Sequence, residues 1–251
     1  MVSTISTGTS FGLIVAVPLA ILAGHGWRAV WLCFGALALI TLAINARVLP
    51  AAPHPSPAPP GHPGPERNRK ELGLLAAYAA IYGVLGAVFF TFAVELARAN
   101  HHSPSASSLL WAIVGITGLA ALWAGDVVTA ISLRATKRLL CLGMAAGLLC
   151  TAIEPRSLIA LYLGAAIFGP FYMAGAAIMP PWAQRIAPDA PAGPHTIATA
   201  VSALGSVAGA AAAGALGSTA GLPGVFIAAT ALAMLAAPIL NPGSPTSLQP
   251  A

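Results

Sequence analysis

From Leu72 to Val94 the chain runs for 23 residues without a charged side chain, in the stretch LGLLAAYAAIYGVLGAVFFTFAVELA. About 20 mainly apolar residues suffice for a helix to cross the hydrocarbon core of a bilayer. A backbone at that depth must satisfy its own hydrogen bonds, which a helix does. Applied along the chain, this measure predicts spans at 3–23, 29–49, 72–96, 108–131, 138–153, 157–181, 196–218 and 221–240. The fifth is short, so that Lys137 and Arg138 would have to snorkel at its end. Pro170, Pro180 and Pro181 predict a kink or break in the sixth. The whole chain agrees, with 58% hydrophobic and 7% charged residues, too few charges to cover a water-facing surface. The expected fold class is an all-α membrane protein of about eight transmembrane helices.

The net charge of +5 is spread over short clusters between apolar runs. Nucleic-acid binding needs a basic face dense enough to follow phosphates, so contact with anionic headgroups of the bilayer is the expected role of these charges. Cys33, Cys141 and Cys150 sit inside apolar runs without metal-type spacing and read as small packing residues. No Lys or Arg precedes Arg28, which argues against a secretory signal in residues 1–26. His54 and His62 in a proline-rich tract, and the neighbours His101 and His102 in a loop, lack the further ligands of a zinc site. No metal or cofactor is expected.

The stretch AAPHPSPAPPGHPGPERNRK, residues 51–70, is too rich in proline for helix or sheet and is expected to be an extended linker. It divides the chain into residues 1–50 with two helices, residues 71–241 with six, and a tail at 242–251. Basic residues alternate in density along the loops. Arg47, Arg67, Arg69, Lys70, Arg134, Lys137, Arg138 and Arg185 fall on one side, against Arg28, Arg98 and Arg156 on the other. The positive-inside rule places the first set, and with it both termini, in the cytoplasm. A multi-pass protein of the cell (inner) membrane is expected.

Shifted by 197 residues, GTSFGLIVAVPLAILAG (8–24) pairs with GSVAGAAAAGALGSTAG (205–221) at six identities in 17 positions. Gly8-Gly12-Ala16 and Gly205-Gly209-Ala213 place small residues four apart on one helix face, where two backbones can approach closely in lipid. The same Gly8–Gly12 stretch reads as G-x-S-x-G, a hydrolase nucleophile elbow at Ser10. That reading needs a preceding strand and partner His and Asp residues, none of which the sequence offers. Helix packing is therefore expected, and no enzyme activity.

Two six-helix halves joined by a long cytoplasmic connection are the plan of the major facilitator superfamily, and this sequence resembles its helices five to twelve. If the two repeat copies share ancestry, four helices of that plan are missing ahead of residue 1. GTSFGLIVAVPLAILAGHGWRAVW resembles the fifth-to-sixth helix region, with Gly8, Gly12 and Pro18 in place. LWAGDVVTAISLRATKRLL occupies the position of the family's G-x-L-x-D-R-x-G-R-R loop. Gly125, Arg134, Lys137 and Arg138 fit that pattern, whereas Thr129 and Ala130 replace its acid and arginine, and Ser132 its glycine. GSVAGAAAAG is similar to the eleventh-helix glycine pattern, with Ala210 for proline. Within the superfamily the sequence looks most like the YbfB/YjiJ-type branch.

The resemblance implies rocker-switch transport of a small-molecule substrate, possible coupling to protons, and a cavity lined in this half by segments 72–96 and 157–181. Tyr78, Tyr82 and Phe89 share a face of the first, and Tyr162 and Tyr172 a face of the second. Buried tyrosines suit a solute of mixed polarity, since each offers an apolar ring and one hydroxyl. The competing role for these rings is plain packing between helices. Glu95 and Asp126 are the ionisable candidates at depth, both near helix ends and both expected in structural roles. The rival functional reading is an eight-helix protein that transports nothing and acts through partner contacts on its glycine faces.

Overall fold

The computed structural model describes residues 8–23, 27–48 and 65–239, and among them every regular element is helical. In chain order these are α1 (Gly8–Ala23), α2 (Trp27–Val48), α3 (Pro65–Ala99) and α4 (Pro104–Gly118). A short 3-10 turn, Leu119–Trp123, follows, then α5 (Ala124–Ile153), α6 (Leu158–Ala177), α7 (Met179–Ile186) and α8 (Ala192–Ile239). Six described stretches are long and apolar enough to cross a membrane: Arg28–Val48, Arg69–Ala99, Pro104–Val128, Ala130–Ile153, Leu158–Ile186 and Ala192–Pro238. The last, of 47 residues, holds two of the expected spans, divided where Gly221 leaves the helical region at φ 70° and ψ 168°. The first expected span corresponds to the 16 residues of α1, the rest lying outside the described residues.

Boundaries follow local chemistry. Ser103 and Ser157 cap α4 and α6, accepting hydrogen bonds from Ala106 N at 3.2 Å and Ala160 N at 3.3 Å; such caps satisfy amides that the first helical turn leaves unpaired. Pro170 sits inside an unbroken α6, while the chain breaks at Ile178 and restarts in α7 with Pro180 in its first turn. A missing N–H costs nothing there. The same logic corrects the linker: α3 begins at Pro65, so residues 65–70 are helical, and 51–64 lie outside the described residues. Pro65 opens the helix as a first residue instead of blocking it. The connection between the fourth and fifth expected spans is also tighter than a loop. α5 starts at Ala124 and divides at Ser132, with φ 75° and ψ 153°, close to where the crossing stretches Pro104–Val128 and Ala130–Ile153 meet.

Small residues set the packing. α3 lies most extensively along α8, where a methyl on Gly83 would strike the carbonyl of Ser202 and one on Gly205 that of Ala80. Ser206 Oγ donates to Gly83 O at 3.2 Å across this seam. Between α5 and α6, Gly147 admits the backbone of Phe168, 2.7 Å from where a methyl would stand, and Gly143 admits the ring of Phe171. Close backbone approach of this kind substitutes for the hydrophobic drive that lipid removes. α1 docks on α4, whereas Trp31, Leu32 and Leu39 of α2 are more than two-thirds exposed, as a lipid-facing helix requires.

Candidate functional site

The heart of the bundle is a ladder of rings between α3 and α6. Tyr82 stacks on Tyr172 at 4.3 Å and 11°, and Phe89 on Phe168 at 4.2 Å and 7°. The helical offsets are seven residues on α3 and four on α6, which bring two rungs to one interface. Glycines make the room. A methyl on Gly86 would lie 2.5 Å from the Tyr172 hydroxyl, and one on Gly175 would lie 3.0 Å from the Tyr82 ring. Tyr78 continues the ladder toward α7, 5.9 Å from Trp182, and its hydroxyl donates to Gly175 O at 3.4 Å.

The rings differ in access. Tyr78, Tyr82 and Phe89 are buried, Tyr82 retaining 8% exposure. Tyr172, Phe90 and Trp111 are half-buried, and Phe90 bridges the other two at 5.0 and 5.2 Å. A solute reaching this surface would meet three rings at different tilts and the phenol of Tyr172, a mixed apolar and hydrogen-bonding face. At 1.5 Å per residue, Trp111 lies about 10 Å and Tyr172 about 21 Å from the starts of their helices, bracketing the middle of a core about 30 Å thick. Tyr162 stands apart: its hydroxyl donates to Ala106 O at 2.9 Å and ties α6 to α4.

At the basic end of the bundle, three helices meet on Trp182. Its Nε1 donates to Glu71 Oε2 of α3 at 3.1 Å, and Lys137 Nζ of α5 lies 4.1 Å from the centre of its ring. Lys137 keeps only 6% exposure. A buried ammonium needs compensation, and the indole face with a carboxylate on its far edge supplies part of it. Arg134 and Arg138, by contrast, are exposed, as are Gly125 and Asp126 beside the start of α5, and Glu95 near the end of α3.

The glycines divide sharply. Gly205 and Gly209 lie against Ala80 and Val84 of α3, while Gly8 and Gly12 face open space and Pro18 is exposed. The α1 contact runs instead through Ser10, Leu13 and Ile14, which meet Gly115 and Gly118 of α4. Ser10 is fully buried in this helical seam, its hydroxyl 2.9 Å from where a Gly118 methyl would stand. Among the described residues no group of three or more His, Cys, Asp or Glu could hold a metal ion.

Phe90, Trp111, Phe168, Glu71 and Trp182 join these clusters without having been singled out by sequence. The spacing of Phe168 and Tyr172 at i and i+4 was the available signal for one rung. Glu71, Lys137 and Trp182 are too far apart in the chain for any periodicity to link them.

Apolar helices packed through glycines around an aromatic midsection define a polytopic α-helical membrane protein. The family model described as "Uncharacterised MFS-type transporter YbfB" matches residues 2–241, and the chain belongs to that family of the major facilitator superfamily. Its general class is therefore that of a secondary transporter. No curated protein matches the chain.

Proposed function

We propose that the protein carries a small organic solute of mixed polarity across the membrane by alternating access, with the α3–α6 aromatic surface as its share of the binding site. The observation that carries this reading is the convergence of Tyr172, Phe90 and Trp111 from three helices at mid-depth. Residues 71–241 act as one six-helix unit, rocking against the part that contains residues 1–50, with the proline-rich stretch between them. The basic end, with eight of the eleven Lys and Arg residues against three at the other, faces the cytoplasm.

Cells expressing the chain, compared with cells carrying an empty vector, test the proposal through accumulation of a panel of radiolabelled aromatic and aliphatic solutes. Tyr172→Ala is expected to abolish any difference in accumulation, and Tyr172→Phe to reduce it about tenfold for solutes that bond the hydroxyl. A difference that survives Tyr172→Ala unchanged would remove this surface from the site. Protein that reaches the membrane yet changes no solute's accumulation would favour the partner-binding alternative.

A further inference from the structure

At the end of the bundle opposite Lys137, three segments converge: the end of α3, the turn between α5 and α6, and the break in α8 at Gly221. They border an open recess of about 480 Å³, within the size range of small-molecule sites. Leu96 of α3 and Leu222 and Pro223 of α8 form apolar walls, and Asn100, Glu154 and Arg156 supply the polar lining. The polar side is built on a rigid support. Ser157 N donates to Glu154 O at 3.0 Å, closing a turn whose second residue is Pro155, and a proline there fixes the backbone in advance. Asn100 Nδ2 donates to Leu96 O at 2.8 Å, which holds the amide in place. No ion pair joins Glu154 or Arg156 to another described residue.

The charge pattern selects among ligands. An anion drawn to Arg156 would meet the Glu154 carboxylate, and a simple cation would meet the guanidinium. Both charges are exposed, and a neutral solute would offer neither of them a partner. A solute with an ammonium, a carboxylate and a compact apolar part complements all three surfaces, and charge-assisted hydrogen bonds are the stronger kind. We propose that this recess binds an α-amino acid with an apolar side chain, its carboxylate on Arg156, its ammonium on Glu154 and its side chain against Leu96, Leu222 and Pro223. The site is separate from the aromatic surface and stands or falls independently of it.

The test is equilibrium binding of radiolabelled leucine to the full chain in lipid nanodiscs, a readout that needs no transport. Leucine is expected to bind saturably. Glycine, 4-methylpentanoate and 3-methylbutylamine, which lack the side chain, the amine and the carboxylate respectively, should each compete at least tenfold less well. Glu154→Gln should weaken leucine about tenfold while sparing or improving 4-methylpentanoate, and Arg156→Gln should do the same in favour of 3-methylbutylamine. Absence of saturable binding to the unmodified chain, or equal competition by all three analogues, would overturn the proposal whatever the variants do. Unchanged leucine affinity in both folded variants would overturn it as well.

Discussion

The two copies of the glycine repeat share a sequence spacing and occupy opposite environments. In α8, Gly205 and Gly209 are pressed against the α3 backbone so closely that no side chain fits. In α1, Gly8 and Gly12 have nothing within 4 Å of a would-be methyl, and the helix meets its neighbour through Ser10, Leu13 and Ile14. In that second seam it is the partner, α4, that supplies the small residues, Gly115 and Gly118. A Gly-x-x-x-Gly spacing thus marks a face that can be approached, and the neighbouring helix decides whether it is.

The contrast can be broken experimentally, most forcefully at the tight seam. Gly205→Leu would drive a side chain into the Ala80 carbonyl and should cost about 3 kcal/mol, read as a lower thermal midpoint in detergent or nanodiscs. Gly118→Leu would meet Ser10 and Met173. Its flexible neighbours can yield, so a loss of about 2 kcal/mol is expected, together with weaker cross-linking between cysteines placed on α1 and α4. Ser132 is the converse case, a residue with a backbone that suits glycine at φ 75°. Ser132→Gly should stabilise the protein by about 1 kcal/mol by the same midpoint measurement. Gly12→Leu, facing open space, should shift stability by no more than about 0.5 kcal/mol. A loss at Gly12 equal to that at Gly205 would show that the α1 face is covered in the functional protein.

Sequence reading found the spans because lipid imposes one rule on every crossing segment, and α2, α3 and α6 obey it over most of their lengths. It also located the α8 division near Gly221 and a break around Pro180. It stopped where partnership began. Tyr78, Tyr82, Phe89 and Tyr172 carry helical spacing that marks a face, but Phe168 and Gly86 decide how those rings stack. Lys137 looked like a snorkelling loop residue because its neighbours in sequence, Arg134 and Arg138, are exposed ones. Only the fold brings it under Trp182, whose place follows from the way α6 ends and α7 begins. Ser132 stands where the resemblance places a glycine, and its φ of 75° is a backbone conformation that glycine favours.

Gly221 also fixes the register of everything after it. Val225 turns back to within 3.6 Å of where a Gly217 methyl would lie, so the reversal in α8 is made without a loop to absorb error. The second arm buries Val225, Phe226, Ala229, Ala233, Ala236 and Ala237 along one face. A single residue inserted after Gly221 would rotate that arm by about 100°, sending Phe226 toward lipid and bringing Leu235 toward the bundle. A deletion would rotate it the other way and bring Ile227 and Met234 toward the bundle. The last described crossing is indexed by one glycine, and length changes that a surface loop would accept would misplace its buried face.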